Sequence, residues 1–225
     1  MAIHIESTYD SHIHLVGTGG VDFAFLGPAS YVKLTGKFGA FPLLAIYETE
    51  GSATYKGVIM VRQDSPIKTL SQLKGKRFAF GDINSTMSHL VPRYMLQKAG
   101  ITVKDLGSYD FLANHENVVM GVLSGTYDAG AVREPVYQLY AAEGLRVVAA
   151  SEPMPDHLFV ARRGLPPDTV RKLSESLLSL KDSEEGKMVL RSLQKSLTAL
   201  VPVRDKDYDK LRKVVEALRK AGVNP

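Results

Sequence analysis

The chain has 225 residues, 44% of them hydrophobic and 23% charged, with a formal net charge of +4. That composition suits a globular protein with a buried core, long enough for one large domain or two small lobes. It contains no cysteine, which excludes disulfides, thiolate metal sites and a cysteine nucleophile. No stretch approaches the roughly 20 apolar residues that a membrane helix needs. The start, Met1-Ala2-Ile3-His4-Ile5-Glu6, has neither a basic n-region nor an apolar h-region, so it does not read as a signal peptide. The densest basic run, Arg204-Asp205-Lys206-Asp207, is interleaved with acids, and no basic tract carries aromatics, which argues against nucleic-acid binding.

In chain order, Ala2–Glu6 reads as a strand, and Tyr9–Val16 as a helix with Tyr9, Ile13 and Val16 on one face. Val21–Leu26 is a strand, and Gly27-Pro28-Ala29 opens a short helix. Leu43–Tyr47 and Gly57–Arg62 are strands joined by a polar loop. Arg77–Phe80 is a strand that leads through Asn84–Ser88 into a helix reaching about Ala99, in which Pro92 kinks or loosens one turn. Strands at Tyr109–Leu112, Asp128–Val132, Leu145–Ala150 and Leu158–Ala161 alternate with helices from His115 and Pro135. From Asp168 onward the pattern is helical, in three segments divided at Lys181–Glu184 and Pro202–Lys206. The alternation predicts an α/β fold with mostly parallel sheets flanked by helices.

One internal echo bears on architecture. Gly20-Val21-Asp22-Phe23-Ala24-Phe25, followed by Pro28 and Tyr31, is answered by Thr126-Tyr127-Asp128-Ala129-Gly130-Ala131, followed by Pro135 and Tyr137. In both, a helix ends at glycine and an aspartate precedes a strand that feeds a proline-started helix. The aspartate-to-tyrosine spacing is nine residues in each. Two such units suggest two similar lobes: residues 1–57 with 152–225 as the first, and an inserted 58–151 as the second. A ligand is then expected in the crevice between them, where strand ends and helix N-termini converge.

The sharpest chemical feature is Asn84-Ser85-Thr86-Met87-Ser88, which follows a buried strand at a helix start. The first helical N–H groups lack internal partners and sit at the positive end of the helix dipole. Hydroxyls beside them complete an anion cradle without a lysine, although the same residues are also ordinary capping residues. Ala113-Asn114-His115-Glu116 repeats the arrangement with a histidine that can donate to an oxyanion. Tyr55, with Lys56 before Gly57, stands where the chain is expected to cross between lobes, and a tyrosine there can close over a ligand. Tyr9 follows the polar pair Ser7-Thr8 at another helix start. At Val132-Arg133-Glu134-Pro135 an arginine suits an anion and Glu134 an amino group; Asp156 and His157 lie at the second expected crossing. Each of these is also readable as a solvated or packed side chain.

Enzyme signatures are missing from the sequence. There is no G-x-S-x-G, H-E-x-x-H or P-loop. Gly17-Thr18-Gly19-Gly20 comes at a helix end, where glycine acts as a stop. The six histidines show no metal-ligand spacing. No catalytic residue, metal or cofactor is therefore expected.

Taken together, the run Gly20–Tyr31, then Tyr55-Lys56-Gly57-Val58-Ile59, Asp64-Ser65, and Leu70-Ser71-Gln72-Leu73-Lys74-Gly75-Lys76 resemble the phosphate/phosphite/phosphonate substrate-binding proteins of ABC transporters. Asn84-Ser85-Thr86 is similar to that family's Ser-Thr-Ser-Gly motif, and His115 stands where the family has its ligand histidine. The likeness covers about residues 5–165. It implies a two-lobed type 2 periplasmic-binding-protein fold. It also implies a phosphono group held by Ser85, Thr86, neighbouring N–H groups and His115, with Ser88 nearby and Tyr55 and Tyr9 closing over it. Family members that take aminophosphonates use acids for the amine, and Glu134 and Asp156 lie near those places. Two features depart from the family: Met87 replaces the third hydroxyl, with Ser88 where glycine is usual, and the usual first strand and helix have no counterpart before Ala2.

The expectation is thus a periplasmic or cell-envelope protein, its leader absent from this sequence, that captures a phosphonate-like oxyanion without chemistry and hands it to a membrane ABC permease. The alternatives are a sensing module of a signalling receptor and, ranked lower, a small-molecule enzyme on the same fold.

Overall fold

The computed structural model describes residues 2–223. The chain opens with α1 (Tyr9–Gly17), β1 (Phe23–Leu26), α2 (Pro28–Phe38), β2 (Leu43–Glu48), β3 (Thr54–Tyr55) and β4 (Gly57–Arg62). It continues with β5 (Arg77–Phe80), α3 (Val91–Lys98), β6 (Ser108–Phe111), α4 (His115–Leu123), β7 (Ala129–Arg133), α5 (Glu134–Tyr140) and β8 (Leu145–Ala150). It closes with β9 (Met154–Pro155), β10 (Leu158–Ala161), α6 (Pro167–Leu178), α7 (Glu184–Leu193), β11 (Ala199–Val201) and α8 (Asp209–Lys220). Contacts divide the chain into two compact units: Met1–Thr54 with Met154–Arg212, and Tyr55–Pro153 with Lys213–Pro225. The division falls inside α8, whose first turn counts with the first unit. Its buried residues Leu211, Val214, Val215 and Leu218 recur at the three- and four-residue spacing of one helical face.

The first unit is built on a four-stranded sheet in the order β1-β10-β2-β11. All three of its pairings are antiparallel. Ala45 and Tyr47 of β2 pack on Leu190, Leu197 and Leu200, and the Ser174 hydroxyl ties α6 to the sheet by donating to the Leu44 carbonyl at 2.7 Å. Tyr208, fully buried, donates to the Asp156 carbonyl at 2.8 Å, and its ring packs 4.7 Å from that of Tyr31.

The second unit has a five-stranded sheet in the order β6-β5-β7-β4-β8. β5 runs parallel to β6 and β7, while β4 is antiparallel to β7 and β8. One face carries Ile59, Val61, Phe78, Phe80, Ala129 and Ala131 against Leu96 of α3. The other carries Val58, Met60, Ala79 and Val132 against Val118, Val119 and Val122 of α4 and Val136 of α5. Burying a side chain the size of Phe78 or Phe80 stabilises the fold by about 1.5–3 kcal/mol, so these two faces hold the unit together.

Three expectations need correction. The fold is α/β, but instead of being mostly parallel one four-stranded sheet is antiparallel throughout and the five-stranded sheet is mixed. The strands of the first unit come from chain segments on either side of the long 55–153 stretch, and they meet antiparallel. Ala2–Glu6 forms no strand; Ile3 and Ile5 are exposed. Extended residues gain little without neighbouring strands to pair with. The stretch read as helical to the end contains β11, which pairs with Ile46–Glu48 of β2; three residues are too few for a period to show.

Candidate functional site

Six of the eight expected site residues lie in the second unit, where the C-terminal ends of β5, β6 and β7 each feed a helix. After β5, the carboxylate of Asp82 accepts from the Asn84 N–H at 2.6 Å, and its carbonyl accepts from the Ser85 N–H at 3.0 Å. Ser85 then caps a π-helical turn, Thr86–Leu90, its hydroxyl oxygen accepting from the Ser88 N–H at 3.2 Å. The Leu90 N–H reaches back to the Ser85 carbonyl at 3.0 Å, and the Val91 N–H to the Thr86 carbonyl.

Pro92 accounts for this wide turn. It has no N–H to give the Ser88 carbonyl four residues back, and that carbonyl instead accepts from the Gly81 N–H at 3.1 Å. The loosened turn expected at Pro92 is therefore real, and it ties the helix start to the strand end. A Cβ on Gly81 would stand 2.2 Å from Ser88 Oγ, so only glycine allows this approach. Ser88 and Thr86 are buried, and Ser85 is half-buried. Ser85 already caps the helix, yet its hydroxyl hydrogen remains a donor.

Met87, which stands in place of a third hydroxyl, packs instead. It is buried, and a Cβ on Gly57 would lie 2.9 Å from its carbonyl oxygen and 3.2 Å from its sulfur. His89 was missed by the sequence reading. Its Nδ1 donates to the Ile83 carbonyl at 2.6 Å, and its Nε2 receives Arg93 Nη1 at 3.3 Å. It thus braces the 82–85 loop from beneath, edge-on to Phe80 and Phe111. A histidine and arginine four apart were the only signal in the sequence.

After β6, the Asn114 N–H closes on the Leu112 carbonyl at 2.9 Å around Ala113, whose φ is 68°. This is a positive-φ γ-turn, which is strained for any residue but glycine. It sets Asn114 to cap α4 by accepting from the Asn117 N–H at 2.8 Å, with His115 as the first helical residue. His115 Nδ1 accepts the Arg133 N–H at 3.3 Å, so in the neutral ring Nε2 carries the proton and is the donor. The Asn114 carbonyl lies 3.8 Å from the Cβ position of Gly81, which sets the His115 helix start beside the hydroxyl turn. After β7, the Glu134 N–H donates to the Lys56 carbonyl at 2.9 Å, placing Glu134 next to Tyr55-Lys56. Tyr55, Arg133 and Glu134 are all half-buried.

Tyr9 and Asp156 belong to the first unit. Tyr9 is the first residue of α1, 41% exposed, behind Thr8, which caps the helix by accepting from the Ser11 N–H at 3.1 Å. Asp156 is buried, and its Oδ1 accepts from the His157 N–H at 2.7 Å and contacts His157 Nδ1 at 2.8 Å. The His157 ring stacks on Phe25 at 5.3 Å, and Tyr47 lies 6.2 Å away. Burial, reinforced by the Asp156 charge, pushes the Tyr47 hydroxyl up to about 12.

Among the described residues no group of three or more His, Cys, Asp or Glu is placed to hold a metal ion, and no helix is long and apolar enough to cross a membrane. Hydroxyls, helix N–H groups and a histidine ring gather at the C-terminal ends of β5, β6 and β7, and groups of this kind can donate to an anion. Residues 1–208 match the model of the phosphonate ABC-transporter periplasmic substrate-binding proteins, and the chain belongs to that family, a family of transport proteins rather than enzymes.

Relatives include a probable phosphite-binding ABC transporter protein, PhnD1, of Prochlorococcus marinus, 33% identical across 42% of this chain and 35% of its own length. The phosphate-import protein PhnD of Mycolicibacterium smegmatis is 29% identical over 93% of this chain and 73% of its own. The chain's match thus spans about a third of the first relative and nearly three quarters of the second. In fold, the structure of Prochlorococcus PhnD1 in complex with methylphosphonate matches with a TM-score of 0.82 at 22% identity, covering 94% of this chain and 84% of that one.

Proposed function

We propose that the protein captures a small tetrahedral oxyanion of the phosphonate, phosphite or phosphate class and delivers it to a membrane ABC permease, without chemical conversion, in the periplasm or cell envelope. The observation that carries this reading is the π-helical turn after β5. It presents the Ser85 hydroxyl and the first N–H groups of a helix beside the His115 helix start, with no lysine in the turn. Ser85, Thr86 and His115 Nε2 are the direct donors, while Ser88 shapes the turn from below. Tyr55 is proposed to cover the ligand and Glu134 to meet its organic substituent; Tyr9 and Asp156 are proposed as ligand-binding residues of the first unit. The names of the relatives, which refer to phosphite and phosphate, and the methylphosphonate bound to Prochlorococcus PhnD1 support the same ligand class.

Thermal unfolding in the presence of phosphate, phosphite, methylphosphonate, 2-aminoethylphosphonate, sulfate and nitrate tests the reading. A ligand at a hundredfold excess over its Kd stabilises the fold by about 2.7 kcal/mol. At least one phosphorus oxyanion should do so. Silence from all of them, with a response to a neutral or cationic solute, overturns the proposal.

A further inference from the structure

Arg133 ends β7 directly opposite Gly57 in the antiparallel pairing of β7 with β4. Residues opposite one another in such a pair project to the same face of the sheet. That face is known here, because a Cβ on Gly57 would run into the carbonyl and sulfur of Met87. The alternation along β7 agrees. Ala129 and Ala131 pack with Phe78, Phe80 and Leu96 of α3, whereas Val132 packs with Val118, Val119 and Val136 on the other side. The Arg133 side chain therefore leaves the strand on the side of the sheet where the π-helical turn stands.

Its backbone N–H is already committed to His115 Nδ1. Its side-chain Nε is buried and has no hydrogen-bond partner among the described residues. A buried N–H donor without an acceptor is costly, and native structures keep such groups where something else supplies the acceptor. The hydroxyl turn, by contrast, offers only neutral donors.

We propose that Arg133 is the charge-reading residue of this site: its guanidinium binds the captured oxyanion and makes the site prefer a dianion to a monoanion of the same shape. The inference rests on the oxyanion reading above and adds a ligand class to it, tetrahedral oxyanions carrying two negative charges. Methylphosphonate and methanesulfonate make the comparison clean. They share a methyl group and three terminal oxygens, and at mildly alkaline pH the first is largely a dianion and the second a monoanion.

Calorimetric titration of both into the wild type, Arg133→Gln and Arg133→Lys gives the test. The wild type should bind methylphosphonate more tightly. Arg133→Gln should weaken methylphosphonate binding by about tenfold to a hundredfold, the usual effect of a charge-assisted hydrogen bond, and methanesulfonate binding much less. Arg133→Lys should recover part of the preference. Thermal unfolding without ligand should show Arg133→Gln folded and no less stable, since it removes a buried Nε donor that has no acceptor among the described residues. Unchanged preference in Arg133→Gln, or equal weakening of both anions, overturns this inference and leaves the oxyanion reading standing. Failure of the wild type to bind methylphosphonate overturns the inference, and the oxyanion reading falls with it only if phosphate, phosphite and 2-aminoethylphosphonate also fail to bind.

Discussion

The two copies of the helix–glycine–strand–proline unit can be compared residue by residue. In the first, Asp22 precedes β1 and Pro28 opens α2; in the second, Asp128 precedes β7 and Pro135 lies in the first turn of α5. Each aspartate is clamped by an arginine of a neighbouring segment. Asp22 meets Arg162 Nε at 3.1 Å, and Asp128 meets Arg77 Nη2 at 2.8 Å while also accepting the Arg77 N–H at 2.8 Å. The copies part at the strand end. Asp to Pro is six residues in the first and seven in the second, so Leu26-Gly27-Pro28 is answered by Val132-Arg133-Glu134-Pro135. The extra residue places two ionisable side chains at the edge where His115 and the hydroxyl turn stand. The shared residues build the scaffold, and the chemistry gathers where the second copy departs from the first.

Substitutions at matched positions test that comparison. The largest expected effect falls two residues past each aspartate, at Ala24 and Gly130. A Cβ on Gly130 would lie 2.6 Å from Val118 Cγ1 and 3.0 Å from Val122 Cγ2. Gly130→Ala should therefore cost about 1–3 kcal/mol by overpacking the α4 face. At the matching position Ala24 is buried, and Ala24→Gly should cost about 1 kcal/mol through backbone entropy and a lost methyl. Urea unfolding of both variants measures the asymmetry, and equal costs would mean that the two strands meet their helices at the same distance.

A smaller difference separates the aspartates. The hydrogen bond from Arg77, working against the cost of burial, holds the Asp128 carboxyl below its ordinary value of 3.8. A carboxyl lowered by folding contributes stability above its unfolded value and loses it as the pH falls through the lowered native value. Asp128→Asn should flatten the acid limb of a stability-against-pH curve. Asp22→Asn should change stability least, because the Asp22 side chain is 70% exposed and such pairs contribute little. A steeper acid limb in Asp128→Asn would reverse the assignment.

Much of the scaffold could be read from the sequence because apolar periodicity, glycine stops and proline starts are local signals. Gly57–Arg62, Arg77–Phe80, Leu145–Ala150 and Leu158–Ala161 are strands at the expected bounds. Strand direction could not be read, since an apolar run looks the same whether its neighbour is parallel or antiparallel. Ile3 and Ile5 suggested a strand, but that requires a partner which local pattern does not reveal. At the site, Pro92 was enough to predict a loosened turn. The role of His89 was not legible, because its partners Ile83 and Arg93 meet it only once the π-helical turn has formed. Arg133 was visible as a charge at a strand end. Its direction became definite only through its register with Gly57 and the packing of Met87, both of which are non-local.

The central claim is that the π-helical turn at Ser85-Thr86 holds the oxyanion, and calorimetric titration of wild type against Ser85→Ala/Thr86→Ala tests it most directly. The anion that binds the wild type best should lose about a hundredfold in affinity in the double variant, two donor hydrogen bonds to a charged ligand at about 1.5 kcal/mol each, while the variant keeps its cooperative unfolding. An unchanged Kd in a folded double variant would contradict the account and place the anion elsewhere on the molecule.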